Sequence, residues 1–96
     1  MAITKRDLES EVARMNAKYC KNTKNRLQVG GAYGGYKVVL TGKPYKNGKG
    51  YRGIGTGNAD ITYGYRSAKD TLADLYKADG RGSVKQKINH FEKSRY

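Results

Sequence analysis

Ninety-six residues with a formal net charge of +12, twenty Lys and Arg against eight Asp and Glu, suffice for one hydrophobic core and exclude two, since each half would bury too little surface. The single cysteine, Cys20, excludes an internal disulfide, and no apolar run approaches the roughly 18 to 20 residues that cross a bilayer. The chain is therefore read as one domain, residues 1–96, expected in the cytoplasm, away from membranes, and facing a negatively charged partner.

Leu, Ile, Val and Phe number 15 of the 96 residues, a share at which a highly charged chain verges on disorder. Their placement argues for a fold, because they recur at helix and strand spacings behind three capping sequences. The first is Thr4-Lys5-Arg6-Asp7. Thr4 accepts from the free amides of the first turn, and Asp7 reaches back while facing the positive end of the helix dipole. Ile3 and Leu8 flank the cap as a hydrophobic staple. Leu8, Val12, Met15 and Tyr19 then make one apolar stripe. Cys20 follows as a semi-buried thiol, before Asn22-Thr23-Lys24-Asn25 ends the pattern with turn-forming residues.

Over residues 26–33 and 36–41 the spacing changes to two, with Leu27 and Val29, then Tyr36, Val38 and Leu40, on one face. Gly34-Gly35 between them accepts the positive φ angles of a two-residue hairpin turn. Residues 42–50, rich in Gly, Pro and Asn, form an exposed connection. It leads to a third strand near residues 51–56, which its glycines weaken and an edge position suits. After a short extended piece at Ile61-Thr62-Tyr63, the sequence Ser67-Ala68-Lys69-Asp70 caps a second helix. Ala68, Leu72, Leu75 and Tyr76 line its buried face, and Gly80 ends it in the left-handed conformation. Ser83-Val84-Lys85-Gln86 caps a third helix, striped by Val84, Ile88 and Phe91. The predicted architecture is α+β: an N-terminal helix, a three-stranded antiparallel sheet and two C-terminal helices, with one sheet face left to water or a ligand.

The charge is uneven along this order. Residues 22–66 carry eight bases against one acid, and the same stretch holds Tyr33, Tyr36, Tyr45, Tyr51, Tyr63 and Tyr65. Bases interleaved with flat rings suit a polyanion that carries bases or riboses, phosphates going to the cations and rings to the tyrosines. The expected contact set centres on Lys43, Tyr45, Lys46, Lys49, Tyr51 and Arg52, extended by Lys24, Arg26 and Arg66. Such a surface follows phosphates without demanding a base sequence. Tyr19, Tyr36 and Tyr76 are assigned to the core, whereas Tyr33, Tyr51 and Tyr63 are candidates for contact with a protein.

Other chemistries lack their residues. Gly53-Ile54-Gly55-Thr56-Gly57 is followed neither by the helix of a dinucleotide fingerprint nor by the Lys-Ser or Lys-Thr of a P-loop. His90 falls on the flank of the last helix without a nucleophile or carboxylate pattern around it, and one histidine with one distant cysteine makes no metal-ligand set. Among the carboxylates, Asp70 serves as a cap and Asp74 as a helix-surface partner. No enzyme, metal or cofactor is expected.

The helix containing Asp7-Leu8-Glu9-Ser10-Glu11-Val12-Ala13-Arg14-Met15-Asn16, followed by Gly30-Gly31-Ala32-Tyr33-Gly34-Gly35-Tyr36, resembles a group of small bacteriophage accessory proteins. That resemblance implies a phage-encoded protein acting on nucleic acid, or on host nucleic-acid machinery in the manner of anti-CRISPR proteins. The order of helix, three strands and helix is also similar to the double-stranded-RNA-binding domain, which implies duplex contacts from a strand-connecting loop and from the start of the second helix. The matching places are residues 43–50 and Ser67-Ala68-Lys69, although Arg66-Ser67-Ala68-Lys69 stands where that family carries a Lys-Lys-Xaa-Ala-Lys opening. Two functions follow as expectations: a nucleic-acid-binding protein, DNA or RNA, working through phosphates, or an inhibitor that covers part of a host defence or transcription complex.

Overall fold

The computed structural model of the protein describes residues 2–42 and 59–93; the expected strand at 51–56 and the connection at 43–50 lie outside the described residues. The elements follow the order α1 (Lys5–Tyr19), β1 (Asn25–Ala32), β2 (Gly35–Gly42), β3 (Ala59–Asp60), α2 (Ala68–Gly80) and α3 (Ser83–Lys93). The three strands form one antiparallel sheet with β2 in the middle. This is the expected α+β layout.

α1 starts as its sequence dictates. Thr4 and Asp7 make a reciprocal capping box, the Thr4 amide donating to the Asp7 carboxylate at 2.8 Å and the Asp7 amide to the Thr4 hydroxyl at 3.4 Å. Leu8, Val12 and Met15 are buried. Tyr19 packs against the core and sends its hydroxyl out to donate to Asp79 at 2.6 Å, which ties α1 to α2. Cys20 is fully buried rather than half-buried, and burial pushes its thiol above the ordinary value.

Cross-strand pairs set the sheet register: Leu27 faces Leu40, Val29 faces Val38 and Gly31 faces Tyr36. These pairs share the face under the helices, where Leu27, Val38 and Leu40 join Leu8, Met15, Leu75, Val84 and Ile88 in one core. That register places the hairpin turn one residue earlier than Gly34-Gly35. Ala32 pairs with Gly35, so Tyr33 (φ 52°) and Gly34 (φ 73°) occupy the two positive-φ positions.

Among the described residues, a side chain occupies one backbone position on the outer side of each edge strand. On the outer side of β1 the Asn16 amide donates to the Leu27 carbonyl at 3.0 Å and its oxygen accepts from the Leu27 N–H at 2.8 Å. At the outer side of β3, Lys87 donates to the Asp60 carbonyl at 2.7 Å. Such contacts deny an incoming strand its hydrogen bonds. Residues Ile61 and Thr62 do not extend β3, because both their N–H groups converge on the Val38 carbonyl, at 2.9 and 3.1 Å. The Val38 amide in turn donates to the Thr62 hydroxyl at 2.9 Å. Two residues therefore oppose one, a bulge-like arrangement that turns the chain out of the sheet. It rejoins β2 at Arg66, which exchanges two backbone hydrogen bonds with Tyr36 at 2.7 and 3.0 Å.

α2 buries Ala68 and Leu75 and packs Leu72 on the core as expected, but Tyr76 turns outward. Ala68, Thr71, Leu75 and Ala78 are buried, while Tyr76 is 50% exposed. The cause is a polar anchor: the Thr71 hydroxyl donates to the Tyr36 carbonyl at 2.8 Å and so points this side of the helix at β2. The helix runs through Gly80 and is stopped by Arg81, and the left-handed residue is Gly82 (φ 77°). Ser83 is the first residue of α3 rather than its cap, and the Gly82 carbonyl accepts from Gln86. Asn25, read from sequence as a turn residue, is buried and donates to the Ile88 carbonyl at 3.1 Å, tying α3 to the start of β1.

Candidate nucleic-acid interface

The face of the sheet turned away from the helices carries Arg26, Gln28 and Gly30 on β1, Lys37, Val39 and Thr41 on β2, and Asp60 on β3, as the alternation of the register requires. Asp60 lies opposite Val39, so it is a diagonal neighbour of Lys37. The two form an ion pair at 3.1 Å. Hydrogen bonding to Asp60 holds the Lys37 ammonium above its ordinary value, and the same ammonium sits 4.8 Å from the centroid of the Tyr65 ring. Tyr65 meets Tyr33 edge to face at 5.6 Å.

On the other side of Asp60, Lys87 donates both to the Asp60 carbonyl and to the Tyr63 hydroxyl, each at 2.7 Å, and lies 4.9 Å from the Tyr63 ring centroid. Asp60 thus joins two lysine and tyrosine pairs into one row along the β3 edge. Beside that row a groove of about 180 Å³ opens between the stretch Ile61-Thr62-Tyr63 and the side chains of Arg66, Asp74, Lys77 and Arg81. Arg66 reaches Asp74 at 3.4 Å. Among the described residues neither Lys77 nor Arg81 joins an ion pair. They stand four apart on α2 and its end, hence on one side of the helix about 6 Å from each other.

This arrangement places three cations and one carboxylate around an exposed ring. Unpaired cations are the ones that exchange small counterions for phosphate, while Lys37, Lys87 and Arg66, each already bound within the protein, hold neighbouring groups in position. A second groove of about 190 Å³ lies between α1 and β1, and Glu9 is its single charged side chain, so it does not favour an anion.

The residues singled out from sequence do not all lie together. Arg26 pairs with Thr41 and Arg66 with Tyr36, five residues apart on β2, or roughly 17 Å at about 3.4 Å per strand residue. Arg26 also turns back on its own chain, donating to the carbonyls of Thr23 and Asn25 at 3.0 and 2.7 Å. The backbone N–H of neighbouring Lys24 donates to both carboxylate oxygens of Glu92, at 2.8 and 3.1 Å. Lys43, Tyr45, Lys46, Lys49, Tyr51 and Arg52 lie outside the described residues. Their segment is attached at Gly42, opposite Asn25, and at Ala59, opposite Leu40. Both attachment points lie toward the Arg26 end of the sheet. The start of α2 lies at the other end, so the two places matched to the double-stranded-RNA-binding domain are attached at opposite ends of β2.

Of the tyrosines proposed for contact, Tyr33 is 95% exposed and Tyr63 is 63% exposed, and both belong to the β3-edge row or its neighbour at the hairpin. Lys37, Lys77, Arg81 and Lys87 were missed by the sequence reading. Asp74, Lys77 and Arg81 stand at helical spacings of three and four, a signal that was legible. The convergence of Lys37 and Lys87 on Asp60 depends on the bulge at Ile61-Thr62 and was not. Among the described residues no group of His, Cys, Asp and Glu is placed to hold a metal, and no helix is long and apolar enough to cross a membrane. No protein family, no curated protein and no solved structure matches the chain.

Proposed function

We propose that the protein binds nucleic acid through its phosphates, with Lys77 and Arg81 beside the β3-edge groove as the principal described contacts and Arg66, paired with Asp74, as a positioning group. The observation that carries this reading is the pair Lys77 and Arg81, left without carboxylate partners among the described residues in a groove that the exposed Tyr63 also lines. A net charge of +12 draws any polyanion to the surface. Lys43, Lys46, Lys49 and Arg52 add four cations to the segment between Gly42 and Ala59, and Tyr45 and Tyr51 add two rings. With Arg26 and Lys24 at the attachment of that segment, a long strand or duplex has cations at both ends of the sheet.

Fluorescence anisotropy with a labelled oligonucleotide, repeated over a range of salt, tests this. Binding weakens as salt rises, with a slope of about 0.7 log units per log unit of salt for each single-strand phosphate neutralised and about 0.9 for each duplex phosphate. Lys77→Ala/Arg81→Ala lowers that slope by about 1.5. Lys5→Ala/Arg6→Ala removes the same charge from α1, which packs on the opposite edge strand β1, and lowers it less. Equal losses in the two variants would remove the groove from the account. The inhibitor reading predicts instead a protein complex that persists at high salt and depends on Tyr33, Tyr51 or Tyr63 more than on lysines.

A further inference from the structure

Resting on the nucleic-acid reading above, we propose that the β3 edge selects single strands: unpaired bases stack on the Tyr33 and Tyr63 rings while Lys77 and Arg81 hold phosphates of the same strand. Three observations lead there. Both rings are exposed, at 95% and 63%, so they add little to the core. Both also touch a neighbouring side chain that limits their motion. Tyr33 meets Tyr65, itself 4.8 Å from the Lys37 ammonium, and Tyr63 is held by Lys87 through its hydroxyl. A braced ring loses little freedom when a base stacks on it.

The third observation is the backbone at Tyr33. Its φ of 52° is a conformation that Gly, Asn or Asp adopts at less cost, and a bulky ring there is an outlier with no burial to offset it. The hairpin needs a positive φ at this position and does not need an aromatic. A solvent-exposed ring kept at a strained tip, one contact away from the lysine row, matches a stacking platform. A duplex hides the faces of its bases in its own stack and offers such rings nothing, whereas a single strand offers a face at every nucleotide.

The test compares a short labelled oligothymidylate with a duplex of the same length, both titrated against the full chain at low salt. The single strand is expected to bind at least about tenfold more tightly, and Tyr33→Asn and Tyr63→Ala each to weaken it by roughly tenfold while leaving duplex binding unchanged. Asn suits the positive φ, so the first variant removes the ring without straining the turn. Tyr63→Phe keeps the ring and retains affinity, which separates stacking from the hydrogen bond to Lys87. The proposal is overturned if the duplex binds as well as the single strand, or if the ring deletions leave single-strand binding unchanged, while salt-dependent binding persists. Absence of salt-dependent binding to either probe overturns it together with the reading it rests on.

Discussion

Gly35→Ala tests how the site is anchored to the sheet. A Cβ at Gly35 would lie 2.9 Å from the Arg66 nitrogen, 2.9 Å from the Tyr65 carbonyl carbon and 3.0 Å from the Arg66 carbonyl oxygen. All three are backbone atoms, so no side chain can swing away to relieve the contact. Relief requires the 65–66 segment to move by about half an ångström, which loosens the two Tyr36–Arg66 hydrogen bonds. Overpacking of this kind costs about 1–3 kcal/mol and a weakened hydrogen bond about 0.5–1.5 kcal/mol. The expected loss is about 2–4 kcal/mol, against a total of about 5–15 kcal/mol for an ordinary domain. Gly30→Ala is the control. Its Cβ meets nothing closer than the Lys37 carbonyl at 3.9 Å, and the backbone there is not left-handed, so stability should change by less than about 1 kcal/mol or rise slightly. Urea melts of both variants measure this through their midpoints at unchanged slope. Gly35→Ala is also expected to bind the oligonucleotide more weakly, because Arg66 and the flanking Tyr65 shift with the segment. Equal midpoints for the two variants would refute the close approach and with it the anchoring of the groove to β2.

Asn16→Ala removes both hydrogen bonds to the Leu27 backbone. The expected cost is about 1–2 kcal/mol, with amide exchange at Leu27 faster by about tenfold beyond the global change, and an unaltered Leu27 rate would contradict the edge-covering role. Asp7 supplies a pH dependence. Hydrogen bonds from the Thr4 backbone N–H, and then from its hydroxyl, hold its carboxyl below the ordinary 3.8, so its stabilising contribution is present above about pH 4 and is lost as pH falls through the lowered value. Asp7→Asn should therefore be less stable than the parent at neutral pH, with the gap closing in acid; a gap that stays constant into strong acid would contradict it.

The parts of the fold that sequence made legible are those set by local chemistry. The Thr4–Asp7 box and the Leu8, Val12, Met15 stripe depend on neighbours within four residues, and they stand as read. The alternation in β1 and β2 was equally plain, yet the turn between them fell one residue away. Gly34-Gly35 looks like the turn pair, but packing of Leu27 on Leu40 and Val29 on Val38 decides the register, and Gly35 is small for the sake of the Arg66 backbone. Tyr76 was assigned to the core because its spacing fits; a single hydroxyl, Thr71 on the Tyr36 carbonyl, turned the helix away from it. Asn25 reads as a turn residue and no pattern singles out Asn16, whereas each makes a contact to a distant backbone segment that no local pattern encodes. At the candidate site, the sequence points to Arg66 as a phosphate contact and to Tyr33 and Tyr63 as surfaces for a protein rather than for nucleic acid. It does not point to their cationic neighbours Lys37 and Lys87, because Asp60 brings them together only once the chain has turned out of the sheet at Ile61-Thr62.

The most direct measurement is a titration of the isotope-labelled protein with a short oligonucleotide, followed by amide chemical shifts residue by residue. Binding at the β3 edge predicts shifts concentrated at residues 59–66, at Lys77 and Arg81, and at the Tyr33-Gly34 turn, reversing when salt is raised. Shifts confined to α1 and the outer side of β1, or an unchanged spectrum at low salt, would contradict it.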